Sequence, residues 1–162
     1  MSRPAEVFKT LSLGVYVIGV AARDKRNAFT AAWVMQVSFD PLLIALGIHP
    51  QHRSYRILKE GGGFTINVLD KNQIELARHF GQSAEHDKLE GHRWRPGKFG
   101  APILLDTLAW LDCDFHHQCP AGDHVLVIGR VLDGAIEHPG EPLLYQETGD
   151  MDGASRLFPE RF

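Results

Sequence analysis

The chain has 162 residues, which suits one domain with a hydrophobic core, and its 44% hydrophobic and 23% charged residues are typical of a soluble globular protein. The formal net charge of −3 gives no electrostatic reason to expect binding to nucleic acid or to an anionic membrane. No apolar run approaches the roughly 20 residues of a membrane span, and two cysteines, Cys113 and Cys119, do not make a disulfide framework.

The first half of the chain predicts strands with two short helices. PAEVFKTL is a short helix with Pro4 near its start. The β-branched GVYVIGVAA, the charged turn RDKRNA and FTAAWVMQVS form a hairpin, and LLIALGI is a third strand after FDP. The apolar stretch 11–22 fits a strand better than a signal peptide, and no convincing cleavage site follows it, so we expect a cytoplasmic protein. QHRSYRILKEGG is a helix closed by glycines, and GFTINVLD is the fourth strand.

The second half begins with a helix, NQIELARHFG. Residues 82–102 are charged and aperiodic and predict a long loop. LAWLDCDFHH and HVLVIGRVLDGAIE form a hairpin around QCPAGD, and a short strand, PLLYQ, precedes a polar tail over 146–162.

Strands therefore dominate, and the sequence predicts a mainly β fold, a small antiparallel barrel with peripheral helices. LLIALGI and HVLVIGRV are apolar on both faces. A barrel wall packed against a second subunit would cover both faces, which indicates a dimer.

Several kinds of chemistry find no support. CDFHHQC lacks the ligand spacing of ordinary zinc sites, and Cys113 is better explained as a core residue, so we predict no metal site. The chain also lacks the G-x-S-x-G nucleophile motif and both common glycine-rich phosphate loops.

Two segments suggest a ligand. HPQHRSYRIL places His52, Arg53 and Ser54 at the start of a helix, where free N–H groups and cationic side chains suit a phosphate. The alternative is that these residues only cap the helix and that Arg53 is solvated. In NAFTAAWVMQVSFDP, small residues beside Trp33 would let a heterocycle approach the backbone, and the alternative is a hairpin strand with one packed tryptophan.

Taken together, these segments resemble a known family. The order of G-V-x-V, the T-A stretch, VSFDP, the basic-serine turn, GGFTINVL, RHFG and GDHVLVIGRV over about residues 8–145 is similar to the flavin reductase-like family, nearest its flavoredoxin-like members. The resemblance implies an FMN-binding split β-barrel of Greek-key type, in one domain over residues 1–162. It also implies a homodimer with FMN near the subunit interface.

The resemblance also implies a site. The flavin ring would lie along the strand and turn of Thr30–Val34 and Gln36–Ser38, and the phosphate would lie near the basic-serine turn. Asn67 and Phe80 match positions near the family's flavin pocket. His124 matches the histidine of the family's Gly-Asp-His motif. The flavin-binding residues implied are Thr30, Ala31, Ala32, Trp33, Val34, Gln36, Val37, Ser38, His52, Arg53, Ser54, Tyr55, Asn67 and Phe80. His124 would be catalytic and face the nicotinamide, or else, with Asp123, it only closes the hairpin.

The activity implied is that of an NAD(P)H-dependent flavin reductase that passes hydride from NADH or NADPH to flavin. The acceptor of the reduced flavin would be a partner oxygenase or iron. An FMN-containing electron carrier that does not itself oxidise NAD(P)H is the alternative, because both functions need the same pocket.

Overall fold

The computed structural model describes all 162 residues and is built mainly of strands. Its helices are α1 (Pro4–Phe8), α2 (Arg53–Gly61) and α3 (Ile74–Gly81). Its strands are β1 (Tyr16–Ala22), β2 (Lys25–Ala31), β3 (Val34–Ser38), β4 (Leu43–Ile48), β5 (Gly63–Val68), β6 (Trp94–Pro96), β7 (Pro102–Leu104), β8 (Ala109–Ala121) and β9 (His124–Ile136). None of the helices has the length and apolar character needed to cross a membrane.

Seven strands form one sheet in the order β2-β1-β5-β8-β9-β4-β3, and β6 and β7 form a separate pair. Every pairing is antiparallel. The prediction of a mainly β, antiparallel fold with peripheral helices is confirmed. The two edge strands, β2 and β3, follow each other in the chain and are joined only by Ala32 and Trp33.

The larger hydrophobic core lies on one face of the sheet. Its buried side chains come from β1, β2, β4, β5, β8 and β9 and from α2, so that the sheet curls around them. Burying one large apolar side chain stabilises the folded state by about 1.5–3 kcal/mol, so this cluster is the main source of stability. A second cluster, on the other side of β1, includes Val17, Leu104 and Phe80 and anchors α3.

Helix α2 is held against β1 at its C-terminal end. A Cβ on Gly61 would lie 1.7 Å from the Ala21 carbonyl oxygen, so no other residue fits this contact. Gly62 then ends the helix with φ of +78°, in the left-handed region that glycine adopts freely. Because this end is fixed on the sheet, the N-terminal end of α2 has a defined position above β2.

Five local predictions were wrong. The charged turn RDKRNA is confined to Arg23 and Asp24, because β2 begins at Lys25, and the turn QCPAGD is confined to Gly122 and Asp123, because β8 runs to Ala121. FTAAWVMQVS is not one strand, since the chain turns at Ala32–Trp33 and Val34 N donates to Ala32 O over 3.1 Å. Residues 82–102 are not all loop, because β6 lies within them and pairs with β7. PLLYQ contributes only isolated bridges at Pro142 and Leu144, and the tail contains two 3-10 helices, Tyr145–Thr148 and Ala154–Arg156.

Candidate functional site

The main candidate site is a polar cavity of about 610 Å³ beside the N-terminal end of α2. Its walls come from three parts of the chain: the β1–β2 hairpin, the start of α2 and the segment after α3. The lining residues are 24–27, 29–30, 51–53 and 80–88. Four predicted flavin-binding residues, Thr30, His52, Arg53 and Phe80, line this cavity.

The cavity lining contains four cationic side chains and three carboxylates, and the cations differ in their partners. Arg26 pairs with Asp87 over 3.3 Å. Lys25 and Arg53 form no ion pair in the structure and are exposed. Two cations therefore border the cavity with their hydrogen-bonding capacity free, which suits an anionic ligand.

His52 is the N-cap of α2. Its Nδ1 accepts a hydrogen bond from Ser54 N over 3.2 Å, and its ring lies 4.6 Å from the Phe29 ring. Burial lowers the pKa of His52, and the charge of Lys88 lowers it further. Both the cap bond and the pKa favour the neutral imidazole at the helix start.

Ser54 and Tyr55, predicted to bind the phosphate, are buried and do not line the cavity. Ser54 Oγ accepts a hydrogen bond from Asn27 Nδ2 over 2.9 Å, and Tyr55 donates its hydroxyl to Gln118 Oε1 over 2.5 Å. These two residues attach α2 to β2 and β8. They therefore act on the cavity by positioning His52 and Arg53.

Asn67 is also placed away from the cavity. It is fully buried in β5, where its amide donates to Val17 O over 3.0 Å and to Pro102 O over 3.3 Å, and its Oδ1 accepts from Leu104 N over 2.8 Å. These bonds use its polar atoms to attach β7 to the sheet. The expectation that Asn67 contacts the flavin is not supported by this arrangement.

A second cluster surrounds His124, at the start of β9. Its ring lies 4.7 Å from Trp33 and 5.3 Å from His49, and its Nδ1 is 2.7 Å from Asp123 Oδ1. The His124 side chain keeps 25% of its surface exposed. The hydrogen bond from His124 lowers the pKa of Asp123.

Two short segments join this cluster to the cavity. One runs from Thr30 in the cavity wall through Ala31 and Ala32 to Trp33. The other runs from His49 to Arg53 and includes His52. The predicted ring-binding and phosphate-binding segments therefore lie side by side, with the His124 cluster at one end and the cavity at the other.

The predicted residues of β3 lie on an exposed edge strand rather than in the cavity. Val37 is exposed, Val34 and Ser38 are half-buried, and Gln36 donates its amide to Ser38 O over 3.4 Å. These residues border the surface beside Trp33, so in this chain alone they form an open face.

The loop Gln82–Asp87 covers the cavity and is anchored by Lys88. The buried Lys88 ammonium donates to Phe80 O over 2.9 Å and to Gln82 O over 3.2 Å. Burial lowers the pKa of Lys88. Lys88 thus ties the end of this loop to the C-terminal end of α3.

Sequence reasoning missed part of the lining, namely Lys25, Arg26 and Asn27, and it predicted a long loop over 82–102 without naming its residues as ligand contacts. It also missed Gln51, which lines the cavity, and His49, which contacts His124, although both belong to the HPQHRSYRIL segment. Nothing in the local pattern of 82–88 shows that it folds over the start of α2, because that contact depends on the tertiary placement of α3.

The cysteine and histidine residues of β8 do not form a reactive site. Cys113 is fully buried, and burial, with the charges of Asp112 and Asp114, raises its thiol pKa to about 12. His116 and His117 are exposed, and no group of three or more metal-ligating side chains converges in the structure.

The fold and this site define a class: a mainly β protein with a polar cleft at a helix start, bordered by two unpaired cations and adjoining an aromatic and histidine cluster. The family model for the flavin reductase-like domain matches residues 8–154. The chain belongs to the flavin reductase-like domain family.

Individual relatives agree with this assignment. The chain is 32% identical over 143 residues to a flavin reductase from Pseudomonas putida, covering 85% of this chain and 84% of that protein. It is 35% identical over 140 residues to a high molecular weight rubredoxin from Moorella thermoacetica, covering 84% of this chain and 61% of that protein. It superposes with a TM-score of 0.80, at 31% identity, on a homologue of nitrilotriacetate monooxygenase component B from Mycobacterium thermoresistibile, covering 86% and 79% of the two chains.

Several other curated relatives are much longer than the region that this chain matches. The chain spans between 22% and 61% of the length of the first curated relatives that it matches.

Proposed function

We propose that this chain is an FMN-binding, NAD(P)H-dependent flavin reductase. The observation that carries the proposal is the cavity of about 610 Å³ at the start of α2, bordered by the unpaired cations Lys25 and Arg53 and joined through Thr30–Trp33 to His124. Flavin reductases among the relatives support the activity, and a Streptomyces nodosus relative, 32% identical over 142 residues, is an NADH-dependent FMN reductase.

The residues present fit a flavin mononucleotide. Arg53 and Lys25 offer charge-assisted donors to a phosphate at the helix start. The small residues Ala31 and Ala32 leave the backbone open beside Trp33, where a flat ring system can lie. When bound, FMN supplies the hydride and electron transfer chemistry, while the protein binds and orients it.

His124 would act on the nicotinamide. Because Asp123 holds Nδ1, Nε2 is the ring nitrogen with no hydrogen-bond partner inside the protein. A neutral His124 protonated on Nδ1 would accept a hydrogen bond at Nε2, and a charged one would donate it. Either form can orient a carboxamide.

We further propose that residues 1–162 form one split-barrel domain of Greek-key type. The curled sheet around one core and the joining of both sheet edges by Ala32–Trp33 support this arrangement.

The chain is also proposed to form a homodimer. An open groove of about 600 Å³ along β8 and β9 is lined mostly by apolar residues, and Leu42 and Ile136 in it are 44% and 79% exposed. Exposed apolar patches of this kind mark protein interfaces.

A partner oxygenase is the proposed consumer of reduced flavin, because relatives of known structure include the reductase component of a two-component halogenase.

The first test is spectroscopic. The purified protein is titrated with FMN and with FAD, and NADH and then NADPH are added without oxygen. We expect the visible flavin bands to shift on binding and to bleach with one nucleotide. Bands that persist with both nucleotides would support the electron carrier instead, and a failure to bind either flavin would exclude both functions.

A further inference from the structure

His49 is a residue that the proposed function does not yet use. It follows β4 directly and is exposed, but its ring lies 5.3 Å from the His124 ring at an interplanar angle of 81°. Trp33 contacts the same imidazole, at 4.7 Å and 53°. His124 is therefore in contact with two rings besides the carboxylate that holds its Nδ1.

The orientation of His49 is itself fixed. Its Nδ1 accepts a hydrogen bond from Gln51 N over 3.2 Å, which requires an unprotonated Nδ1. The tautomer compatible with this bond carries its proton on Nε2 and is uncharged. A neutral His49 can pack edge-on against His124 without placing two like charges side by side.

We propose that His49 is a positioning residue that holds the His124 ring in the plane set by Asp123 and Trp33. This inference rests on the proposed function for its effect on NAD(P)H, but the geometric claim concerns only His49 and His124. Asp123 fixes one atom of His124 and leaves rotation about that hydrogen bond, whereas ring contacts restrict the plane. A fixed plane fixes the direction in which Nε2 presents its lone pair or proton.

Two substitutions separate the ring contact from the local hydrogen bond. His49→Asn keeps a side-chain acceptor for Gln51 N and removes the ring. His49→Phe keeps a ring and removes the acceptor. His116→Asn, at an exposed position on β8, is the matched control.

We expect His49→Asn to lower kcat/KM for NADH or NADPH about threefold to tenfold, the range that one aromatic pair supports, while His49→Phe and His116→Asn stay near wild type. The FMN dissociation constant should change by less than about twofold, since His49 does not line the cavity. Because His49 acts through His124, His49→Asn should cost nothing further in a His124→Ala background.

A direct readout does not depend on activity. In ¹⁵N spectra of the imidazole nitrogens, the wild-type His124 should show a proton held on Nδ1, and His49→Asn should show averaging between the two tautomers. Unchanged His124 signals in His49→Asn, an equal loss of kcat/KM in His49→Phe, or an additive loss in the double variant would overturn the proposal. If wild-type protein does not oxidise NAD(P)H, the proposed function fails, and the ¹⁵N spectra still decide the role of His49.

Discussion

At the residue scale, the central test concerns His124. Replacing His124 with Ala removes the Nε2 group proposed to orient the nicotinamide, and leaves the cavity lining intact. We expect kcat/KM for NAD(P)H to fall about 100-fold, the lower end of what a positioned histidine contributes, while FMN affinity is unchanged. Steady-state kinetics measure this effect. The control is His117→Ala, which changes a histidine at an exposed position on β8. Unchanged turnover would remove His124 from the mechanism.

Arg53 is expected to carry part of the FMN affinity. It lines the cavity at the start of α2 and has no carboxylate partner. Losing one charge-assisted hydrogen bond in Arg53→Ala should weaken FMN binding by about 1–3 kcal/mol, which is about 5–150-fold in the dissociation constant. Fluorescence titration measures this. Arg56→Ala, at an exposed position about one helical turn further along α2 and outside the cavity lining, is the control. Equal affinity in both variants would place the phosphate elsewhere.

His52 should make stability depend on pH. Its pKa is lowered in the folded state, so below the ordinary histidine pKa of about 6.5 the unfolded chain binds the proton more readily. The free energy of unfolding therefore carries no penalty from His52 above about pH 7 and decreases as the pH falls through about 6.5. His52→Asn keeps a cap for Ser54 N and removes the titration.

Urea unfolding measures the free energy of unfolding of wild type and His52→Asn at about pH 7.5 and pH 5. The other histidines contribute equally to both proteins, so a difference between the two pH dependences reports on His52. We expect His52→Asn to lose less stability than wild type over this interval. An equal loss in both proteins, or the same benefit from His116→Asn, would contradict the assignment.

A polar side chain that the sequence singles out is free to bind a ligand in the cavity only where no other part of the fold pairs with its polar atoms. His52 and Arg53 were expected beside an anion site and do line the cavity. Ser54 and Asn67 carry equally suitable polar groups, but Asn27, Val17 and Leu104 occupy them. A local pattern identifies a polar side chain and cannot tell which distant backbone atom satisfies it.

At the element scale, the loop over the cavity depends on Lys88. In Lys88→Met the aliphatic part is conserved, and the hydrogen bonds to Phe80 O and Gln82 O are lost. We expect faster amide hydrogen exchange over residues 82–88 and FMN binding weaker by about threefold to tenfold, because the cavity wall is less ordered. Lys98→Met, at an exposed lysine outside the cavity, is the control. Exchange that matches wild type would show that Lys88 does not anchor the loop.

Prediction of elements failed at a corner and at a short strand. Thr30, Ala31, Trp33 and Val34 contain no glycine or proline, so nothing in the sequence marks the turn between β2 and β3. A three-residue strand such as β6 is too short to show an alternating pattern. The strands β5 and β9 have clear patterns and were predicted to within two residues of their observed ends, whereas β8 runs four residues further than predicted.

At the scale of the whole molecule, the apolar groove predicts self-association. Ile136→Asp places a charge in the groove and should shift a dimer toward monomer in sedimentation or light scattering. Leu157→Asp alters an equally exposed apolar residue outside the groove and should leave the mass unchanged. A monomeric wild-type protein, or a dimer unaffected by Ile136→Asp, would exclude this interface.

The corner at Ala32 and Trp33 also bears on how such a chain can vary in length. These two residues are the whole connection between the two outermost strands of the seven-stranded sheet. An inserted residue there would displace one strand relative to the other and move Trp33 away from His124. At Gly149, between the two 3-10 helices of the tail, a Cβ would meet nothing, so extra residues would project into solvent. Natural variation in chain length should therefore collect in the tail and avoid this corner.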